Sequence, residues 1–185
     1  MNKLCIIILS AFCSLAFTAT AQDTNALKTD LGVFEAQTGV VIVKGYKQIG
    51  SISIGPVDIL VGCKESIYAG TSQKADGVVV EIGGNSLPME RAYVDYDEID
   101  SLLDGIDYLN KINYDVTPLP GFEVTYTTKS GLRLIAYSVQ RDGGIRLFLQ
   151  YNDGPRISLS SQQLTQLYGF VGQAKDDLDA IRSLK

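Results

Sequence analysis

Two stretches of the chain share one hydrophobic pattern, and each predicts an amphipathic helix. Apolar side chains recur within residues 95–112 at the i, i+3, i+4 and i+7 spacing that places them on one helix face. They are Ile99, Leu102, Leu103 and Ile106. The same spacing returns within residues 160–181. Its members are Leu164, Leu167, Tyr168 and Val171. We expect two helices that bury matching stripes.

The beginnings of the two expected helices also match. Asp95 stands three residues before Glu98, and Ser160 stands three residues before Gln163. Both pairs predict a capping box, in which each side chain accepts a hydrogen bond from the other residue's backbone N–H. Within the second helix, two glycines (169 and 172) cost about 1 kcal/mol each relative to alanine, so we expect a close backbone contact there.

Alternating and β-branched apolar residues predict strands before the first helix. Residues 33–72 have this character, with glycines that indicate turns and an additional hairpin between about Gly39 and Ile54. Lys74–Gly77 is expected to be a turn. Strands are then expected at Val78–Ile82 and at Arg91–Val94, where the chain enters the first helix.

The pattern restarts after a linker. Residues 115–121 contain Pro118 and Pro120, which cannot continue a helix. Alternating residues then predict three strands and a short lead into the second helix. The expected strands are Phe122–Thr128, Leu132–Gln140 and Ile145–Tyr151.

The sequence therefore predicts an α+β fold built from two β-β-β-β-α units. The first unit spans residues 33–114, with the additional hairpin, and the second spans 122–185. We expect two antiparallel sheets, each covered by one helix and related by a pseudo-two-fold axis, because a sheet with one apolar face needs a covering layer.

The element order of residues 74–181 resembles that of the Whirly and Pur-repeat nucleic-acid-binding proteins. The resemblance is one of topology, since the chain has no sequence motif of either family. It implies that single strands bind on a sheet face through basic and aromatic residues. The net charge of −5 opposes binding to phosphate backbones, so nucleic acid is the least favoured partner.

The first 21 residues have the pattern of a secretory signal peptide. Lys3 precedes an apolar run, Leu4–Phe17, and Ala19-Thr20-Ala21 forms a small-x-small cleavage site. The run is too short for an ordinary membrane span. We expect cleavage after Ala21, export to the periplasm or the cell exterior, and a flexible lead-in over residues 22–32. No later stretch of the sequence predicts a transmembrane segment.

The composition argues against several kinds of catalytic and metal-binding site. The chain has no histidine, the usual general base near neutral pH, and no tryptophan. Cys63 is the one cysteine beyond the signal peptide and is expected to be a buried apolar side chain. The acidic residues of 95–107 fit the polar face of a helix better than a calcium loop. The sequence thus predicts no catalytic, cofactor-binding or metal-binding residue.

Three functional hypotheses remain. The favoured one is an exported, non-catalytic module that binds a protein or an envelope component. The alternatives are a hydrolase that uses carboxylates or hydroxyls, and a nucleic-acid binder. In the expected strand 145–151, Arg146 and Phe148 point away from the helix, and Arg133 joins them from the neighbouring strand. This group is the candidate partner surface, unless another layer covers Phe148.

Overall fold

The computed structural model describes residues 28–84, 87–139 and 144–184. The helices are α1 (Asp30–Glu35), α2 (Ile99–Asn110) and α3 (Ser161–Ser183). The strands are β1 (Ile42–Ile54), β2 (Val57–Tyr68), β3 (Lys74–Gly84), β4 (Leu87–Asp95), β5 (Glu123–Thr127), β6 (Leu132–Val139), β7 (Gly144–Tyr151) and β8 (Ile157–Leu159). Short 3₁₀ helices occupy Tyr96–Glu98 and Tyr114–Val116. The protein is therefore α+β, as predicted.

The strands form two antiparallel sheets of four strands each. The first sheet has the order β1-β2-β3-β4 and the second has the order β5-β6-β7-β8. Every strand pairs with its neighbour in the sequence, so β1 and β4 are the edges of the first sheet. One long helix follows each sheet along the chain, α2 after the first and α3 after the second.

Each long helix packs on the sheet of the other half of the chain. α3 contacts β1, β2 and β3, whereas α2 contacts β5 and β6. The two helices also contact each other. Apolar side chains of both sheets and both helices consequently form one core. The cover that each sheet needs comes from residues distant in sequence.

The helix predictions from the hydrophobic pattern are confirmed. Ile99, Leu102 and Ile106 are buried in α2, and Leu103 is half-buried. In α3 the corresponding side chains at positions 164, 167 and 171 are buried, but Tyr168 is 43% exposed. The capping box of α3 is present, because Gln163 N donates to Ser160 Oγ at 3.2 Å and Ser160 N donates to Gln163 Oε1 at 2.8 Å.

The capping box expected at Asp95 is absent, because this carboxylate binds another helix. Asp95 accepts hydrogen bonds from the backbone N–H groups of Asp30 and Leu31, at 2.9 and 3.1 Å. Those donors belong to the first turn of α1, and N–H groups in the first turn of a helix have no acceptor within the helix. The Thr29 side chain caps the same turn by accepting from Gly32 N. A helix therefore replaces the strand predicted to begin at Val33.

The additional hairpin predicted between Gly39 and Ile54 is a single strand in the structure. β1 continues to Ile54 and pairs with β2 along its whole length, with one β-bulge between Gln48 and Gly50. Gly50 lies under the ring of Phe170, and a Cβ at this position would overlap with that ring. The glycine therefore marks a close approach of α3 to the strand, not a turn.

The expected turn at Lys74–Gly77 is instead the beginning of β3. Asp76 is buried in this strand and accepts two hydrogen bonds from Arg182 Nε and one from Arg182 Nη2, at 2.5–3.1 Å. Lys74 forms ion pairs with Asp76 and Glu65. The polar composition that resembles a turn therefore reflects ion pairs at the end of a strand.

Strands are confirmed in the second half of the chain. β5 and β6 lie within their expected ranges, and β7 begins one residue before its expected range, at Gly144. Leu147, Leu149 and Tyr151 are buried as the alternation predicts. The expected signal peptide and Gln140, the last residue of the second expected strand, lie outside the described residues.

Candidate functional site

An open groove crosses the face of the first sheet opposite the main core. We call it the outer groove. It is lined chiefly by Lys44, Tyr46 and Gln48 of β1, Leu60, Gly62 and Lys64 of β2, Val79 and Glu81 of β3, and Arg91 of β4. Its volume is about 430 Å³. The β2 members alternate with the core residues 59, 61 and 63, which point to the other face.

Helix α1 packs on the same face of the first sheet as the outer groove. Leu31 is fully buried and packs with Val79 and Tyr93, which lie on the groove face of the sheet. These three side chains form a small apolar cluster separate from the main core. The short helix is thereby held on the sheet at both ends, by Leu31 packing and by the polar contacts of Glu35.

Glu35 is the centre of a polar cluster at the end of α1. Its carboxylate accepts hydrogen bonds from Lys44 Nζ at 2.8 Å, from Ser66 Oγ at 2.7 Å and from Tyr93 OH at 3.3 Å. Lys64 Nζ lies 2.6 Å from Glu35 Oε1, and both side chains are only 9% exposed. The cluster satisfies a largely buried acid–base pair, which would otherwise be costly.

The environment of Glu35 changes its titration. Burial alone would raise the pKa of this carboxyl group. The hydrogen bonds from Lys44, Lys64 and Ser66 outweigh burial and lower its pKa to about 2. Burial also raises the pKa of Tyr93, so the phenol remains a neutral donor at neutral pH. The cluster therefore keeps fixed charges over the physiological pH range.

The cationic side chains of the groove lie next to aromatic or acidic partners. Lys64 Nζ lies 5.4 Å from the centre of the Tyr93 ring, a cation–π arrangement. On the far side of the groove, Arg91 Nε donates to Glu81 Oε1 at 2.6 Å. Tyr46 is 84% exposed at the rim. The groove thus presents aromatic, apolar and cationic groups together, a composition typical of interface surfaces.

The groove residues do not form a nucleophile of the serine–lysine type. Ser66 is fully buried, and its hydroxyl donates to Glu35. Lys64 is paired with the same carboxylate. A serine–lysine dyad needs an accessible hydroxyl and a lysine that is available to accept its proton. The arrangement stabilises the Glu35 carboxylate, and it leaves neither Ser66 nor Lys64 available to react with a substrate.

Cys63 is buried between the groove and α3, as the sequence predicts. Burial is the main cause that raises the pKa of its thiol, and Asp177 acts in the same direction. A reactive cysteine needs a lowered pKa and access to solvent. Cys63 therefore acts as a small core side chain.

The sequence-predicted surface lies on the outer face of the second sheet. Arg133 and Phe148 stand on neighbouring strands, and Arg146 is paired directly opposite Tyr137. The rings of Tyr137 and Phe148 stack with their centres 5.6 Å apart. Phe148 is half-buried, and Arg146 is exposed. The structure therefore brings the three predicted residues onto one face, around an aromatic pair.

Most of the acidic residues of 95–107 are engaged in structural contacts. Asp97 and Asp95 pair with Lys129 Nζ, and Glu98 accepts from Lys129 N at 2.7 Å. Asp100 pairs with Lys175 of α3 at 2.8 Å. Within residues 28–84, 87–139 and 144–184, no group of three or more acidic or cysteine side chains is placed to hold a metal ion.

Sequence reasoning missed the outer groove for an identifiable reason. Glu35 belongs to a helix too short to have an amphipathic period, and Lys64 follows a run of strand residues. One signal was available. Lys64 directly follows the alternating apolar residues Ile59, Val61 and Cys63 on the opposite face of the strand, so a charged residue at this position indicates either a solvent-facing site or a buried ion pair.

A scan against protein-family models finds no match, and a search of curated proteins finds none either. In the part of the chain that the structure describes, no helix has the length and apolar character needed to cross a membrane.

Proposed function

We propose that this chain is an exported, non-catalytic module that binds a protein or an envelope component through the outer groove. The observation that carries this proposal is an open groove with an exposed aromatic rim, several cationic side chains and the polar cluster around Glu35. Broad open surfaces of this kind suit macromolecules better than small substrates, which favour enclosed pockets.

The hydrolase alternative finds less support in the groove. Ser66, Lys64 and Glu35 stand together next to the groove, but their side chains are largely buried. The Ser66 hydroxyl and the Lys64 ammonium both bind the Glu35 carboxylate. Nucleic-acid binding also finds less support, because the cations of the groove alternate with Glu35 and Glu81 and the chain carries a net charge of −5.

We also propose that the two halves are an internal duplication related by a pseudo-two-fold axis. Both halves have four strands in the order of the sequence, followed by one long helix. The reciprocal packing of α2 and α3 on each other's sheets is compatible with such an axis. Superposition of residues 74–112 on residues 141–181 tests this relation.

Export is part of the proposal and has its own test. N-terminal sequencing of the protein recovered outside the cytoplasm should begin at Gln22, the residue after the expected cleavage site. A protein that retains Met1 would contradict export through this signal.

Site-specific cross-linking tests the proposed binding surface directly. The photoreactive amino acid p-benzoylphenylalanine replaces Tyr46 at the groove rim, Ser158 on the outer face of the second sheet, or Gln166 on α3, all of which are exposed. The three full-length variants are expressed in the organism that makes the protein and are irradiated in intact cells. We expect a discrete adduct at Tyr46, which mass spectrometry identifies and the purified partner reproduces.

The variants at Ser158 and Gln166 show whether binding is specific to the outer groove. An adduct at Ser158 alone would move the binding site to the face that contains Arg133, Arg146 and Phe148. An adduct at Gln166 of the same strength as that at Tyr46 would indicate non-specific contact. The absence of an adduct at all three positions, with folded protein recovered, would contradict the binding-module proposal.

A further inference from the structure

Strand β1 is an edge of the first sheet, and its first half is exposed. Within the described part of the chain, β1 pairs only with β2. Val43 is 55% exposed, and Tyr46 is 84% exposed. The edges of natural sheets are normally short, covered or interrupted, because an uncovered edge can pair with another strand. An exposed edge next to a groove therefore needs an explanation.

The alternation of hydrogen bonds between β1 and β2 determines which backbone groups of β1 face outward. Ala69 N donates to Val41 O at 3.0 Å, so position 41 bonds toward β2. In an antiparallel pair, residues that bond to the partner alternate with residues whose N–H and C=O point away from it. Ile42, Lys44, Tyr46 and Gln48 therefore direct their N–H and C=O groups toward the uncovered side.

The side chains of the same segment specify the kind of strand that would fit. Lys44 and Tyr46 point to the groove face, whereas Val43 and Lys47 point to the other face. Both lysines have ion-pair partners, Glu35 and Asp177, but their side chains remain 44% and 60% exposed. An ammonium group has three donors, so each lysine can also bind a carboxylate of an added strand.

Self-association through this edge is opposed by the same lysines. Two copies paired antiparallel about position 44 would place Lys44 opposite Lys44 of the other chain, and pairing about position 47 would do the same for Lys47. Like charges directly opposite each other destabilise a strand pair. Lysine on an edge strand is a common protection against self-pairing. A strand with acidic side chains would convert this repulsion into attraction.

We propose that residues 42–48 accept an extended acidic segment of a partner protein as a fifth strand of the first sheet. This inference rests on the proposed binding function and specifies its partner. The added strand bonds to the outward N–H and C=O groups of the four alternate residues, and its acidic side chains meet Lys44 and Lys47. Its apolar side chains lie beside Val43 and Tyr46. This is recognition by strand addition.

A designed peptide tests the proposal without knowledge of the natural partner. The probe is a capped heptapeptide, TEYTEVT, which in antiparallel register places glutamates opposite Lys47 and Lys44. The control is TKYTKVT, which keeps the strand-forming residues and reverses the charge. NMR amide exchange of the full mature chain is measured with each peptide. With the first peptide we expect slower exchange at positions 42, 44, 46 and 48 and little change at 43, 45 and 47.

Two substitutions at one exposed position separate the backbone from the side chain. Tyr46→Pro removes an outward N–H and no bond to β2, whereas Tyr46→Ala keeps the N–H. We expect Tyr46→Pro to weaken peptide binding about tenfold relative to Tyr46→Ala, from the loss of one hydrogen bond and the local fit. If Tyr46→Pro does not fold, the alternating exchange pattern of the wild-type chain still tests strand addition.

The outcomes distinguish this inference from the general binding proposal. Equal binding of both peptides, binding without alternating protection, or no binding of the acidic peptide would overturn strand addition. The cross-linking at Tyr46 would be unaffected by any of these results and would still support a groove-binding module. Conversely, the acidic peptide could protect alternate amides of β1 from exchange while no cross-linked adduct forms in cells. That result would support strand addition at β1 and refute the proposed function.

Discussion

Gly169 and Gly172 lie in the interior of α3 without a contact that requires glycine. A Cβ at either position would have nothing within 4 Å beyond its own chain neighbours and local helix backbone. The close backbone contact expected at these positions is therefore absent. The close approach in this region involves Gly50 and Phe170 instead. Both glycines retain the entropic cost of glycine in a helix without a compensating contact.

We predict that Gly169→Ala and Gly172→Ala each stabilise the protein by about 0.5–1 kcal/mol. Alanine has the higher helix propensity, and its methyl group meets open space at both positions. Urea unfolding followed by far-UV circular dichroism measures the effect. The matched control is Gly50→Ala, which should destabilise because its Cβ overlaps with Phe170. Lower stability in either α3 variant would refute the prediction.

Glu35 gives the protein a pH-dependent stability. Its pKa is about 2 in the folded chain and 4.5 for an unperturbed glutamate. Since the folded value is depressed, the ionised group stabilises the fold fully above pH 4.5. That contribution is lost as the pH falls from 4.5 through about 2.

We predict that Glu35→Gln lowers the free energy of unfolding by about 3 kcal/mol at pH 7, because Lys64 loses its buried partner. The difference between variant and wild type should shrink as the pH falls toward 2. Urea titrations at several pH values measure it. Glu123→Gln is the control, since this half-exposed carboxylate forms a long contact of 3.6 Å with Arg156. A difference independent of pH would contradict the role given to Glu35.

At the scale of elements, the sequence predicted what depends on regular alternation. α2, α3 and the strands of the second half have uninterrupted periods, and the structure contains them. The strands of the first half are longer than predicted because glycine and charged residues interrupt the pattern without ending the strand. At Gly50 the interruption is a bulge, and at Asp76 it is an ion pair with Arg182.

The outer groove was beyond sequence reasoning because its contacts join distant residues. Glu35 meets Lys64, Ser66 and Tyr93 only after α1 has packed on the sheet. α1 itself depends on Asp95, which lies 65 residues from Asp30 and accepts from its N–H. Local propensity contains no information on such a contact. The face with Arg133, Arg146 and Phe148 was predictable, since strict alternation determines it.

At the scale of the molecule, the exchanged helices make the two halves mutually dependent. The first sheet buries its apolar face under α3, which belongs to the second half, and α2 covers the second sheet. Separation of the chain in the linker would leave each sheet with an uncovered apolar face. Such a face is expected to prevent folding or to cause aggregation.

We predict that residues 22–114 and 115–185, produced separately, are each largely unfolded and regain native circular dichroism when mixed. The reason is that each fragment supplies the helix that covers the other fragment's sheet. Leu167→Asp in the second fragment should abolish recovery, because Leu167 is buried in the shared core. The adjacent substitution Tyr168→Asp should permit it, because Tyr168 is largely outside that core. A cooperative, monomeric unfolding transition in the isolated first fragment would show that its own helix suffices and that the exchange is not required.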